Sequence, residues 1–127
     1  IYYYYGETFS INTFSEEYAN KFGSNYNVEK IKMKTCRLDT ILDKYLIPNQ
    51  NIDFLNIDVE GLDYNVLLSN NWEKYRPNVI IVELSETKYD DIILTDTYKF
   101  LISKNYSMLT FIPMGNISSV FFTYNQM

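Results

Sequence analysis

Residues 52–84 read IDFLNIDVEGLDYNVLLSNNWEKYRPNVIIVEL, and the fold turns on this stretch. Ile52 to Val59 is apolar except for Asp53, Asn56 and Asp58. So short a run, rich in β-branched residues and flanked by polar ones, predicts a strand buried on both faces of a parallel sheet. Gly61 lets the chain turn without a Cβ clash. Leu62, Val66 and Leu67 then recur at helical spacing, with Asp63 in the first turn, where the helix dipole favours negative charge. Pro77 closes the helical stretch just before Val79 to Val82, a second strand closed by Glu83. A crossover of this length with a helix inside it makes the two strands parallel and the connection right-handed. Asp58, Glu60 and Glu83 therefore fall at the carboxyl ends of two strands, the edge at which open α/β sheets bind ligands.

Upstream, Ile1 to Tyr5 predicts a strand ended by Gly6, and residues 8–13 a polar loop. Thr13 and Glu16 stand at capping-box spacing before a short helix over Ser15 to Phe22, with Gly23 at its end. Ile31 and Met33 alternate with Lys30, Lys32 and Lys34, the pattern of a half-exposed strand with a solvated lysine face. Leu38, Ile41, Leu42, Tyr45 and Leu46 form a helical stripe stopped by Pro48. Downstream, Ser85 to Asp91 reads as a polar loop. Tyr98, Leu101 and Ile102 mark a further helix, with Asn105 as its left-handed cap. Tyr106 to Ile112 and Ile117 to Tyr124 are strands joined by so short a turn, Pro113 to Asn116, that they must be antiparallel.

The 127 residues suffice for one domain, and 46% hydrophobic with 21% charged residues is an ordinary globular composition. Thirteen tyrosines accompany abundant Asn, Ile and Lys, so a biased coding composition explains them. A net charge of −5 with scattered lysines argues against a nucleic-acid surface. No apolar run approaches the ~18 residues of a membrane helix, and no signal peptide is visible. Cys36 is the single cysteine, which fits a reducing, cytoplasmic setting and a small buried filler. Histidine is absent, which excludes a His base, a Ser-His-Asp triad and any His-containing metal site within the chain. The chain opens on Ile1 with strand-like residues at once and reads as a piece of a longer protein.

IDFLNIDVEG, then LDYNVL, then YRPNVIIVEL resembles the FkbM-type methyltransferases, which use S-adenosylmethionine (SAM). The likeness extends to INTFSEEYANKF and TCRLDTIL upstream and to the C-terminal strands. It implies a partial Rossmann-like methyltransferase fold: parallel strands with helical crossovers and a C-terminal antiparallel hairpin. It also implies that residues 1–127 are one domain, the C-terminal portion of that fold without its SAM-binding half. The glycine-rich turn and ribose-binding acid of such a half are missing, because the only glycines are Gly6, Gly23, Gly61 and Gly115. Asn56 stands where family members often carry lysine, so no role for that lysine transfers.

Methyl transfer to a hydroxyl requires alignment of donor and acceptor, exclusion of water and removal of the hydroxyl proton. A carboxylate at the strand edge can accept that proton, orient the hydroxyl, or hold a divalent cation. Asp58 is the first candidate and Glu83 the second. Asp58 could equally cap the following helix, Glu60 could be a solvated loop residue, and Glu83 could bond loop amides. The likeness places Thr13, Phe14 and Ser15, its recurrent TFS stretch, in a segment shaping the acceptor pocket; Glu60 is a further substrate-binding candidate from its strand-end position alone. Helix capping by Thr13 or Ser15 is the plainer reading. The expected activity is O-methylation of a sugar or natural-product hydroxyl, with a small-molecule or glycan partner and neither nucleic acid nor membrane. The alternative is a non-catalytic α/β remnant that binds a carbohydrate or a protein. A phosphoacceptor receiver domain ranks lower, because only Glu7 follows the first strand where an acidic pair is needed.

Overall fold

The computed structural model describes residues 1–6 and 11–125. Thr8 to Ser10, half of the loop expected over 8–13, lie outside the described residues. The elements run β1 (Tyr2–Tyr4), α1 (Glu16–Phe22), β2 (Glu29–Ile31), α2 (Leu38–Tyr45), β3 (Phe54–Ile57), α3 (Asp63–Leu68), β4 (Val79–Leu84), α4 (Tyr89–Ile92), α5 (Asp96–Ser103), β5 (Tyr106–Met114) and β6 (Ile117–Tyr124). They make a mixed α/β fold around a four-stranded sheet of order β3-β4-β6-β5. A separate two-stranded sheet pairs β1 with β2 antiparallel.

β3 and β4 are parallel, as their helical crossover requires, in the register Phe54↔Val79 to Ile57↔Val82. β6 returns antiparallel between β4 and β5. The hairpin is longer than its sequence suggests. β5 continues through Pro113 to Met114, opposite Ser118 and Ile117. Proline is tolerated there because β5 is an edge strand, where a missing N–H need not break a ladder. A one-turn helix, α4, begins inside the stretch expected to be loop. Asn105, after α5, adopts the expected left-handed backbone at φ 68°.

One apolar core joins the sheet to its helices. Ile57, Ile80, Val82, Val120 and Phe122 meet Leu67, Trp72, Ile92, Leu101 and Tyr106. Trp72 anchors this core edge-on to Phe100 and Tyr106, and its Nε1–H donates to the Leu67 carbonyl at 2.9 Å. The Tyr106 hydroxyl likewise donates to the Pro77 carbonyl at 2.8 Å, so each large aromatic enters the core with its polar atom satisfied.

Burial on both faces does not hold for β3. Ile57 is buried and Leu55 half-buried, but Asn56 is exposed and Phe54 is 64% exposed. β3 is an edge strand, and α2 does not lie closely upon the sheet, for it has no buried residue. Within its stripe, Ile41 is exposed and Tyr45 is 70% exposed. α2 is held instead by polar ties. Ser69 Oγ and the Ser69 carbonyl accept from the Leu38 and Asp39 amides, and Asp43 accepts from Lys74 Nζ and the Tyr75 hydroxyl, each at 2.5 Å. Cys36 is exposed, not buried filler, because the stretch between β2 and α2 has little packed over it. The expected strand over Ile31 and Met33 stops at Ile31.

Candidate active site

The turn after β3 is the sharpest feature of the sheet edge. Glu60 and Gly61 take φ values of +52° and +95° in succession, which folds the chain back into α3. The left-handed region is sparsely occupied by non-glycine residues, and its strain persists only where neighbours hold it. Two hydroxyls do so here. Thr13 Oγ1 donates to the Glu60 carbonyl at 2.6 Å, and the Tyr18 hydroxyl donates to Glu60 Oε2. A Cβ on Gly61 would stand 3.0 Å from Tyr18 Cδ2, so the ring lies against the bare glycine backbone.

Tyr18 comes from α1, whose N-cap is Ser15 and not Thr13. Ser15 Oγ accepts from the Tyr18 amide at 3.1 Å, while Thr13 Oγ1 accepts from the Ser15 amide at 2.9 Å. The cap therefore lies two residues beyond the expected one, and with Tyr18 at the third helical position no capping box forms; the Thr13 hydroxyl is instead tied to the Glu60 carbonyl. Gly23 ends α1 in right-handed geometry. The Tyr5 hydroxyl occupies the space its Cβ would need, on its way to the Ala19 carbonyl.

The parallel register fixes the carboxylates. Ile57 pairs with Val82, so the next residues along, Asp58 and Glu83, emerge side by side. Glu83 is pushed up to about 7, first by burial and then by the charges of Asp58, Glu60 and Asp63. Asp63 is pushed up to about 6, mainly by burial; the amides of Val59 and Glu83 oppose the shift and Asp58 adds to it. Tyr18 is raised as well, by burial, by its bond to Glu60 and by the charges of Glu60, Glu83 and Asp58, so it remains a donor. All three shifts share their causes, burial first and then the negative charge crowded at the same edge.

Each candidate residue can now be placed. Asp58 and Glu83 lie together at the strand ends, with Glu60 in the turn beside them. Asp58 does not cap α3, whose N-cap position is Leu62 without a side-chain bond. Ser15 lines a cleft of about 170 Å³ with Tyr18, Phe22, Gly61 and Ser85, between α1 and the carboxyl ends of β3 and β4. Thr13 is buried with its hydroxyl committed to Glu60. On the other side of the turn, Phe14, Cys36, Val59, Leu62 and Val66 line an apolar groove of about 440 Å³. Sequence reasoning missed Asp63 as a site residue. It is 7% exposed and its Oδ1 has no hydrogen-bond partner among the described residues. The only signal was its place at a helix start, where an acid is ordinary.

The family model for the methyltransferase FkbM domain matches residues 2–108, from β1 into β5. The chain belongs to the FkbM methyltransferase family. No curated protein and no solved structure matches it. The family makes SAM the expected methyl donor, but the residues of this FkbM domain do not build its cradle. Its glycines, at 6, 23, 61 and 115, are too widely spaced to form a glycine-rich turn. Nor do the acids suit a metal ion. Among the described residues no three Asp, Glu or Cys side chains converge as ligands, although a hard cation needs several oxygens at one point. No helix among the described residues is long and apolar enough to cross a membrane.

Proposed function

We propose that this FkbM domain carries the acceptor side of a SAM-dependent O-methyltransferase, with a sugar or natural-product hydroxyl as acceptor and Glu83 as the group that takes its proton. The observation that carries this reading is the Glu83 carboxyl, raised to about 7 at the end of β4 beside Asp58. A general base works best when its pKa lies near the working pH, where it is largely ionised yet basic enough to pull the proton. An ordinary glutamate is too weak a base for this task. SAM supplies the electrophilic methyl group. The residues here orient the acceptor, exclude water and remove the proton. Asp58 orients the hydroxyl and keeps Glu83 basic. Ser15, Tyr18 and Gly61 wall the cleft next to these carboxylates, through which the acceptor would approach, and Thr13 and Glu60 hold that wall in place.

The donor side belongs, in this proposal, to a SAM-binding half that seats on the open edge of β3. Two features support this. Among the described residues β3 has an unpaired edge with Phe54 exposed, and α2 presents Ile41 and Tyr45 exposed on its stripe. Unpaired edges and large exposed apolar residues call for a cover.

The test is Glu83→Gln in the protein that carries both halves. Turnover should fall by about a hundredfold or more, the usual scale for losing a general base, with SAM affinity unchanged. Unaltered turnover would remove Glu83 from the mechanism.

A further inference from the structure

We propose that Tyr18 is a positioning residue for the Glu83 carboxyl, acting through Glu60: its hydroxyl holds the Glu60 carboxylate at the strand edge and so keeps that negative charge bearing on Glu83. The geometry comes from three contacts made by one segment. The Tyr18 hydroxyl donates to Glu60 Oε2, Thr13 Oγ1 donates to the Glu60 carbonyl at 2.6 Å, and the Tyr18 ring lies against Gly61. Together they clamp Glu60 by side chain and backbone, in a conformation its Cβ disfavours.

A clamp is needed there because the local charges oppose it. The groups bearing on Glu83 are Asp58 and Glu60 from the β3 turn and Asp63 from α3, all acidic, while Glu17 and Lys21 of α1 line the adjoining cleft with Tyr18. The ion pairs among the described residues lie elsewhere, at Arg37–Asp39, Lys74–Asp43 and Arg76–Glu73. Left to itself, the Glu60 side chain would turn out into water, where its charge is screened within about 10 Å at ordinary salt. Tyr18 is neutral, so it restrains Glu60 without cancelling the charge. α1, capped by Ser15, carries Tyr18 to that position.

This rests on Glu83 as the proton acceptor proposed above, but the coupling can be read without turnover. The measurement is a pH titration of the Glu83 side-chain carboxyl by carbon-13 NMR, its signal assigned by its loss in Glu83→Gln. Three proteins are compared with the parent: Tyr18→Phe, which keeps the ring against Gly61, then Glu60→Gln, and the double variant. Each single change should lower the Glu83 midpoint, by about threefold in proton affinity, the scale of one charge several Å away becoming screened. The double variant should titrate like Glu60→Gln alone, because Tyr18 has no charge left to hold. A merely structural role for Tyr18 would lower stability and leave the midpoint alone. An unmoved midpoint in Tyr18→Phe, or effects that add in the double variant, would overturn the proposal. Should Tyr18→Phe fail to fold, an unmoved midpoint in Glu60→Gln overturns it equally. If the coupling holds while Glu83→Gln retains turnover in the two-half protein, the error lies in the role given to Glu83 and not in the clamp.

Discussion

Glu83 and Asp63 hold their protons to higher pH than free carboxyls do, and this has a stability consequence whose sign is fixed. Both pKa values are raised in the folded state, Glu83 to about 7 and Asp63 to about 6. The folded protein therefore binds these protons more tightly than the unfolded chain. Their stabilising contribution is complete below about pH 4 and is lost as pH rises through about 6 and then about 7. Melting temperature should decline between those limits. The lowered acids, Asp39 and Asp43, work in the opposite sense, but they titrate below that window and are surface partners of Arg37 and Lys74. Asp63→Asn, which cannot ionise, should flatten the Asp63 part of the decline and be at least as stable as the parent above pH 7. A thermal series across this range decides it, and an undiminished slope in Asp63→Asn would place the proton elsewhere. Asp58 has its own signature. With capping excluded by the position of Leu62, Asp58→Asn should lower turnover of the two-half protein by about a hundredfold at nearly constant SAM affinity. It should also shift the acidic limb of the kcat profile downward, because the Asp58 charge is one cause of the raised Glu83 value. Unchanged kcat in a folded variant would retire the assignment.

At the scale of elements, the β3 turn is where local backbone and site geometry are one problem. Gly61→Ala adds a methyl both at a φ of +95° and within 3.0 Å of the Tyr18 ring. It should cost about 1–3 kcal/mol and loosen α1 from the strand edge, visible as faster hydrogen exchange over residues 16–22. An alanine variant as stable and as protected as the parent would mean that the ring contact is idle. The strand–helix–strand unit was legible in the sequence because a buried β-branched run, a helical stripe and Pro77 leave little choice of topology. Asp58 and Glu83 were legible with it, since parallel register brings the ends of β3 and β4 together. The Tyr18–Glu60 tie was not legible, for it joins residues 42 apart through a side-chain hydroxyl. Ser15 displaced Thr13 as cap for a similar reason, a tertiary bond to Glu60 that local spacing cannot reveal. Burial of β3 on both faces was overestimated because hydrophobicity reports what a strand can bury, not what lies over it. The same gap hid the exposure of Cys36.

Considered as a whole, the molecule gathers Asp58, Glu60 and Glu83 at the carboxyl ends of β3 and β4, which the proposed function reads as the acceptor side of a transfer site. The opposite edge, at β3, remains unpaired within the described residues. A SAM pocket on an α/β sheet needs backbone N–H groups in a tight glycine-rich turn and an acid for the ribose hydroxyls. The four glycines cannot form that turn, because the nearest two are 17 residues apart, at 6 and 23. The two cavities that flank the β3 turn offer other chemistry. The smaller, about 170 Å³, is walled by Ser15, Tyr18, Phe22 and Ser85, and the larger is apolar. The crowded acids offer an attraction to the sulfonium charge of SAM, but charge alone supplies none of the amide and ribose contacts that hold the rest of the cofactor. Micromolar affinity corresponds to about 8 kcal/mol, and nothing at this edge approaches that. Calorimetric titration of the 127-residue chain with SAM should therefore show no saturable binding at micromolar ligand. The same titration on the chain joined to a SAM-binding half should show it. Saturable micromolar binding by the chain alone would mean that the donor site is built from these residues after all, and the open β3 edge would need another explanation.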